Sequence, residues 1–161
     1  MGLGSNLGDR VSNISLATRM LRTCSTKLDS SKLYESPPKG FSNQPAFLNS
    51  VCKLSTESSP WLFLHQIKGI EEEFQRSRPF PNAPRTIDID ILMWGKLVIN
   101  TKILTVPHPR IQERLFVLEP LLEISPALRH PVLNLTVSQM CLELEQKQTI
   151  DSCRIFGGYS D

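Results

Sequence analysis

Two aspartates stand at alternate positions, Asp88 and Asp90, in the run Arg85-Thr86-Ile87-Asp88-Ile89-Asp90-Ile91-Leu92. Aspartate is disfavoured inside strands, so a pair of them in a strongly strand-forming run needs a reason. Side chains two residues apart in a strand share a face at roughly 6.5–7 Å. Carboxylates so placed can hold two hard cations, or bridge one, with water and other oxygens completing the shells. The plainer alternative is a solvated strand face that happens to be acidic. Arginines weigh against it: Arg76 and Arg78 precede a proline-rich loop and Arg85 follows it. Guanidinium groups grip phosphate oxygens bidentately and stay charged, and carboxylate-held magnesium beside arginines suits phosphoryl transfer. Arg76 alone could equally serve the C-terminal end of a helix dipole.

A second cluster is Val106-Pro107-His108-Pro109 followed by Arg114. A histidine among prolines is as often a structural hydrogen-bonding residue as a ligand contact, so both readings of His108 stand. His65 and His130 read as structural or solvent-facing. The turn Gly4-Ser5-Asn6-Leu7-Gly8-Asp9 lacks the Lys-Ser/Thr ending of a P-loop and the spacing of a dinucleotide fingerprint, and reads as a tight strand-to-helix connection. Cys24, Cys52, Cys141 and Cys153 show no metal-ligand spacing. They read as small buried hydrophobes in a reducing cytoplasm.

The elements that must position these groups follow from periodicity. Val11, Ile14, Ala17 and Leu21 recur at helical steps, with Asp9 as cap. A strand through Leu33-Tyr34 runs into Pro37-Pro38, and Phe47 to Leu54 forms another with Phe47, Asn49 and Val51 on one face. The next helix has Ser59 as cap, Pro60 in its first turn and the stripe Phe63, Ile67, Ile70, Phe74. Thr86 to Trp94 switches to period two, with Ile87, Ile89 and Ile91 opposite the aspartates. Val137, Met140, Cys141 and Leu144 mark a late helix, and a short strand follows around Ile150 to Phe156. The order strand, helix, strand, strand, helix, strand predicts an α+β, ferredoxin-like βαββαβ sandwich with C-terminal additions.

The chain has 161 residues, 40% hydrophobic and 21% charged, with a formal net charge of +2. That is one domain, residues 1–161, of ordinary globular composition. A nucleic-acid partner is disfavoured because no strongly basic face is implied. No segment approaches the ~18 consecutive apolar residues of a membrane span. The start Met1-Gly2-Leu3-Gly4 has no signal-peptide character.

The motifs together make the chain resemble the 6-hydroxymethyl-7,8-dihydropterin pyrophosphokinases of folate biosynthesis. The matching stretches are Gly4-Ser5-Asn6-Leu7-Gly8, Tyr34-Glu35-Ser36-Pro37-Pro38 through Gln44 to Phe47-Leu48-Asn49, Pro84-Arg85 through Leu92, and Val106-Pro107-His108-Pro109 with Arg114-Leu115-Phe116-Val117-Leu118. The resemblance runs from Gly2 to about Ile124, and its four motifs lie in register. It implies transfer of diphosphate from Mg-ATP to the hydroxymethyl oxygen of the pterin, with release of AMP. It implies that Asp88 and Asp90 hold two magnesium ions and that Arg76, Arg78, Arg85, His108 and Arg114 contact the triphosphate. Arg76 and Arg85 would be catalytic with the aspartates. Glu71 and Thr105 would lie near the nucleotide, and Ile91 would touch adenine. The pterin would lie between Phe47 and Phe116, read by Asn49 and the backbone around Ser36, Pro37 and Lys39. Flat heterocycles favour aromatic faces, and an amide offers both donor and acceptor.

The chain also departs from the family pattern. Asn82 stands where a loop Trp is usual, Gln75 where a glycine commonly precedes the first loop arginine, and Pro109 where some members have tyrosine. Only Met1-Gly2-Leu3 precedes the Gly-Ser-Asn motif, which implies either a start upstream of Met1 or a short central strand. The tail from about Ile155 reads as a linker, and fusion with dihydropteroate synthase in some members implies a functional link to that enzyme. The altered loop and short strand leave a second reading, an ATP- or pterin-binding remnant impaired in catalysis.

Overall fold

The computed structural model describes residues 1–40, 42–74, 83–147 and 153–157. Arg76, Arg78, Gln75 and Asn82 therefore lie outside the described residues, as does the start of the expected last strand.

Local chemistry explains where the elements begin. Helix α1 (Arg10–Thr23) starts where the Asp9 carboxylate accepts from the Ser12 N–H at 3.1 Å and the Ser12 hydroxyl at 2.8 Å. Helix α2 (Pro60–Glu73) starts at Ser59, whose hydroxyl accepts from the Leu62 N–H at 3.3 Å. Each cap satisfies an N–H that the helix itself leaves unpaired, and each matches the expectation from sequence.

The sheet gathers β1 (Gly2–Ser5), β2 (Lys27–Ser30), β3 (Tyr34–Ser36), β4 (Phe47–Ser55), β5 (Asp88–Asp90) and β8 (Arg154–Ile155). Its order is β5-β1-β4-β3-β8, all antiparallel, with β2 pairing the far half of β4. The four strands β5, β1, β4 and β3 with α1 and α2 form the expected ferredoxin-like unit. A separate two-stranded sheet joins β6 (Ile99–Asn100) and β7 (Thr105–Val106), and neither it nor β2 was foreseen.

Register decides which residues share a face. Gly4 stands opposite both Asp88 and Asn49, and Gly2 opposite both Asp90 and Val51. Directly opposed residues lie on one side of a sheet, so the aspartates, two glycines, Asn49 and Val51 share a face. The other face carries Leu3, Leu48 and Ile89, which pack with Ile14, Ala17 and Leu21 of α1 and Phe63, Ile67 and Ile70 of α2. Ile87 and Ile91 join that core, as their alternation requires. The expected strand from Thr86 to Trp94 is paired only over Asp88–Asp90, opposite Gly2 to Gly4 of β1.

Two further helices, α3 (Leu115–Ile124) and α4 (Val137–Lys147), build a second core on the aspartate side. Val51 and Leu92 pack there against Val117, Leu118, Leu121, Met140 and Leu144. The stripe Val137, Met140, Cys141, Leu144 is the buried one, as expected. Helix α3 escaped prediction for two reasons. It is apolar on nearly every side, so it shows no helical period, and Pro120 inside it reads as a breaker.

Candidate active site

Where α3 stops covering the aspartate face, a cavity of about 480 Å³ remains. Gly2 and Gly4 line its floor without side chains. One end is charged. Asp88, Asp90, Arg85, His108, Arg110 and Arg114 all line it. Arg85 Nε lies 3.1 Å from Asp88 Oδ2, an ion pair without the alignment of a hydrogen bond. Arg114 Nη1 lies 3.8 Å from Asp90 Oδ2. Among the described residues an arginine thus faces each aspartate, and the strand alternation aims both carboxylates into the same space.

His108 is positioned by its own turn. Its Nδ1 accepts from the Arg110 N–H at 3.1 Å, and its Nε2 lies 3.4 Å from Arg114 Nη1. Burial, then the positive charges of Arg114 and Arg110, push the imidazole down to about 4. The ring is therefore neutral near pH 7. With Nδ1 accepting, its proton sits on Nε2, a donor for an anionic oxygen. Burial and Arg110 also lower Arg114 from its ordinary value, against the opposing pull of Asp90 and Asp88.

The other end of the cavity is aromatic and polar. Phe47 and Phe116 line it, both half-buried rather than sealed in the core. The Arg85 guanidinium carbon sits 5.2 Å from the centre of the Phe47 ring. Over Phe116 lie Arg114 at 5.6 Å and the Lys39 ammonium at 5.8 Å. These cation–π contacts link the charged and aromatic ends. Asn49 is buried, and its Nδ2 donates to Ser36 Oγ at 2.9 Å and to Tyr34 O at 3.3 Å. Both amide protons are spent within the protein, which leaves Oδ1 as an acceptor.

Of the residues proposed from sequence, the cavity brings together Arg85, Asp88, Asp90, His108, Arg114, Ser36, Pro37, Lys39, Phe47, Asn49 and Phe116. Three others lie elsewhere. Ile91 is buried in the core against α1 and α2. Thr105 sits in β7, opposite Asn100. Glu71 accepts from the Ile89 N–H at 2.9 Å, and so occupies a backbone donor on the outer strand between the two aspartates. Arg76 and Arg78 fall outside the described residues. Sequence reading missed Arg110 and Gln44, which also line the cavity. Arg110 stood two residues after the singled-out histidine, and counting cations in that segment would have found it.

The arrangement fits divalent cations in one specific way. No group of three or more His, Cys, Asp or Glu gathers among the described residues, so the protein offers two carboxylates. Most of each ion's shell would come from ligand oxygens and water, as magnesium commonly requires beside phosphates.

Comparison with known proteins bears on the same cavity. The sequence model of the family 7,8-dihydro-6-hydroxymethylpterin-pyrophosphokinase (HPPK) matches residues 1–126. The chain is 46% identical over 132 residues to the 2-amino-4-hydroxy-6-hydroxymethyldihydropteridine pyrophosphokinase of Aquifex aeolicus, covering 82% of each. It is 45% identical over 139 residues to the folic acid synthesis protein fol1 of Pneumocystis carinii, covering 86% of this chain but 19% of that one. The chain thus spans about a fifth of the length of that relative. Its fold resembles the Plasmodium falciparum HPPK-DHPS crystallised with pterin and p-hydroxybenzoate, with a TM-score of 0.69 at 18% identity over 91% of this chain and 43% of that one.

Proposed function

This chain belongs to the 7,8-dihydro-6-hydroxymethylpterin-pyrophosphokinase family, and from that premise we propose that it transfers diphosphate from ATP to the hydroxymethyl group of 6-hydroxymethyl-7,8-dihydropterin. One observation carries the assignment. A single cavity has paired carboxylates, arginines and a neutral histidine at one end, and two half-buried phenylalanines beside an amide at the other. The first set suits a triphosphate and the second a flat heterocycle, and the cavity keeps them within one space.

Arg85, Arg114 and His108 Nε2–H bind phosphate oxygens, Arg110 adds a further charge, and the family resemblance assigns Arg76 and Arg78 to the same phosphates. Phe47 and Phe116 hold the pterin between them, while Asn49 Oδ1 accepts from its amino or ring N–H groups. Ser36, Pro37 and Lys39 frame the same edge. Asp88 and Asp90 would hold two magnesium ions, which would neutralise charge on the transferred phosphates. The hydroxymethyl oxygen forms its bond to the β-phosphorus as the bond from that phosphorus to the bridging α-β oxygen breaks. AMP departs with that oxygen, and the hydroxyl proton passes to solvent. What the protein contributes is alignment and fixed positive charge where negative charge develops on the departing AMP phosphate.

Residues 1–161 act as one pyrophosphokinase domain in the cytoplasm, with a functional link to dihydropteroate synthase; the composite HPPK-DHPS neighbour supports the last of these. No helix among the described residues is long and apolar enough to cross a membrane. Mass spectrometry of a reaction with ATP, magnesium and the reduced pterin tests the proposal. AMP and pterin diphosphate are expected in equal amounts, and only with magnesium present. Nucleotide and pterin binding without AMP would instead support the impaired binding remnant.

A further inference from the structure

Asn6 makes a set of hydrogen bonds that its turn does not need. The connection from β1 to α1 is held by other residues: Asp9 caps α1, and Asn13 Nδ2 donates to Leu7 O at 2.9 Å and Ser5 Oγ at 3.2 Å. The Asn6 side chain, only 1% exposed, reaches outside the turn altogether. Its Oδ1 accepts from the Arg85 N–H at 2.8 Å, and its own N–H donates to Arg85 O at 3.1 Å. Its Nδ2 donates to Gln44 Oε1 at 2.9 Å and to Pro45 O at 3.1 Å. These partners lie 79, 38 and 39 residues away along the chain.

The amide can sit only one way round. Reversed, it would set an NH2 group against the Arg85 N–H and an oxygen against the Pro45 carbonyl. The two ends of one small side chain therefore hold two different walls of the cavity. Oδ1 fixes the backbone that carries Arg85, the guanidinium facing Asp88 and the Phe47 ring. Nδ2 fixes the loop that delivers Phe47, two residues beyond Pro45.

We propose that Asn6 is a positioning residue that sets the phosphate end of the cavity through its amide oxygen and the pterin end through its amide nitrogen. The inference rests on the functional reading above. A residue that merely stabilised the turn would weaken both ends together, in proportion to lost stability. A two-ended positioning residue allows the ends to be separated by chemistry. Asn6→Asp keeps an acceptor for the Arg85 N–H and loses the donor to Pro45. Asn6→Ala loses both, and Gln44→Ala removes one partner on the pterin side only.

The test titrates magnesium with a non-hydrolysable ATP analogue, and separately the reduced pterin in the presence of that analogue, on wild type and the three variants. Melting temperature is measured on the same samples. Asn6→Asp and Gln44→Ala are expected to weaken the pterin at least threefold while leaving the nucleotide within twofold. Asn6→Ala is expected to weaken both at least threefold. Equal losses of both ligands in Asn6→Asp, or wild-type pterin affinity in Asn6→Asp and Gln44→Ala alike, overturn the proposal. If Asn6→Ala does not fold, the other two variants decide by the same criteria. A wild-type chain that forms no pterin diphosphate would instead overturn the functional reading, so the two failures are distinguishable.

Discussion

His108 and Arg110 form a unit in which one residue sets the state of the other. Arg110 gives its N–H to the ring, and its charge helps hold the imidazole neutral. Among the described residues Arg110 has no ion-pair partner, whereas Arg85 and Arg114 each face an aspartate. A cation left unpaired at the cavity wall suits an anion that arrives with its own excess charge. Arg110→Ala should raise the KM for ATP by about tenfold, a difference of ~1.4 kcal/mol, with the pterin KM nearly unchanged in steady-state assays. In wild type, NMR titration of His108 should give a pKa well below the ordinary 6.5, near the value of about 4. Binding of the nucleotide analogue should move it upward, because phosphate charge favours the imidazolium. Asp88→Asn and Asp90→Asn should each lower turnover ~10–100-fold, the usual cost of weakening a metal site. Circular dichroism should show both variants folded.

Elements hold the site through a few long-range ties as well as through the cores. Glu35 of β3 accepts from Arg10 of α1 at 3.0 Å and from Arg154 of β8 at 3.1 Å. These two arginines hold the Glu35 carboxyl below its ordinary range, Arg154 contributing most. Arg10 also donates to Ala46 O at 2.9 Å, immediately before Phe47. The Arg154 side chain is 79% exposed, so its pair is screened and flexible. Arg154→Ala should cost at most about 0.5 kcal/mol in urea unfolding. Arg10→Ala loses a half-buried charged donor with two acceptors and should cost ~1.5–3 kcal/mol. The helix-facing core is less forgiving. Phe63, fully buried and set edge-on to Trp94 at 5.5 Å, should cost ~3–5 kcal/mol on replacement by alanine.

At the scale of the whole molecule, acid should loosen the fold before it removes many charges. His108 and His130 are both pushed down by burial. The unfolded chain binds protons at these rings near the ordinary 6.5, while the folded chain resists until a lower pH. Their contribution is therefore complete above about 6.5 and declines as pH falls through the folded values. Glu35 acts with the same sign at lower pH: its stabilisation is present above the ordinary 4.5 and is lost as the paired carboxylate becomes protonated. The melting temperature should accordingly fall steadily from pH 7 to pH 4.5, and more steeply below that. A His108→Gln variant should show a shallower decline between pH 6.5 and 4.5 in the same scans.

The residue order alone determined helices α1, α2 and α4 and the chemistry-bearing strand. Ile14, Ala17 and Leu21, or Phe63, Ile67 and Ile70, repeat at the helical period because one face of each helix must leave water. Asp88 and Asp90 alternate with isoleucines because one side of their strand meets a helix core and the other a cavity. Such patterns are local and survive in one dimension. Helix α3 was illegible because it is apolar on nearly every side, and only its place between the sheet and α4 makes a Pro-containing apolar run helical. Tertiary structure also decided the ends of β5, which pairs with β1 only over Asp88–Asp90. It decided that Glu71 caps the Ile89 N–H beside the aspartates, that Ile91 enters the core, and that Asn49 spends both amide protons on Tyr34 and Ser36. Asn6 read as part of a turn because its partners stand 38 to 79 residues away. A hydrogen bond across that distance leaves no period in the sequence, and only the packed sheet brings its ends together.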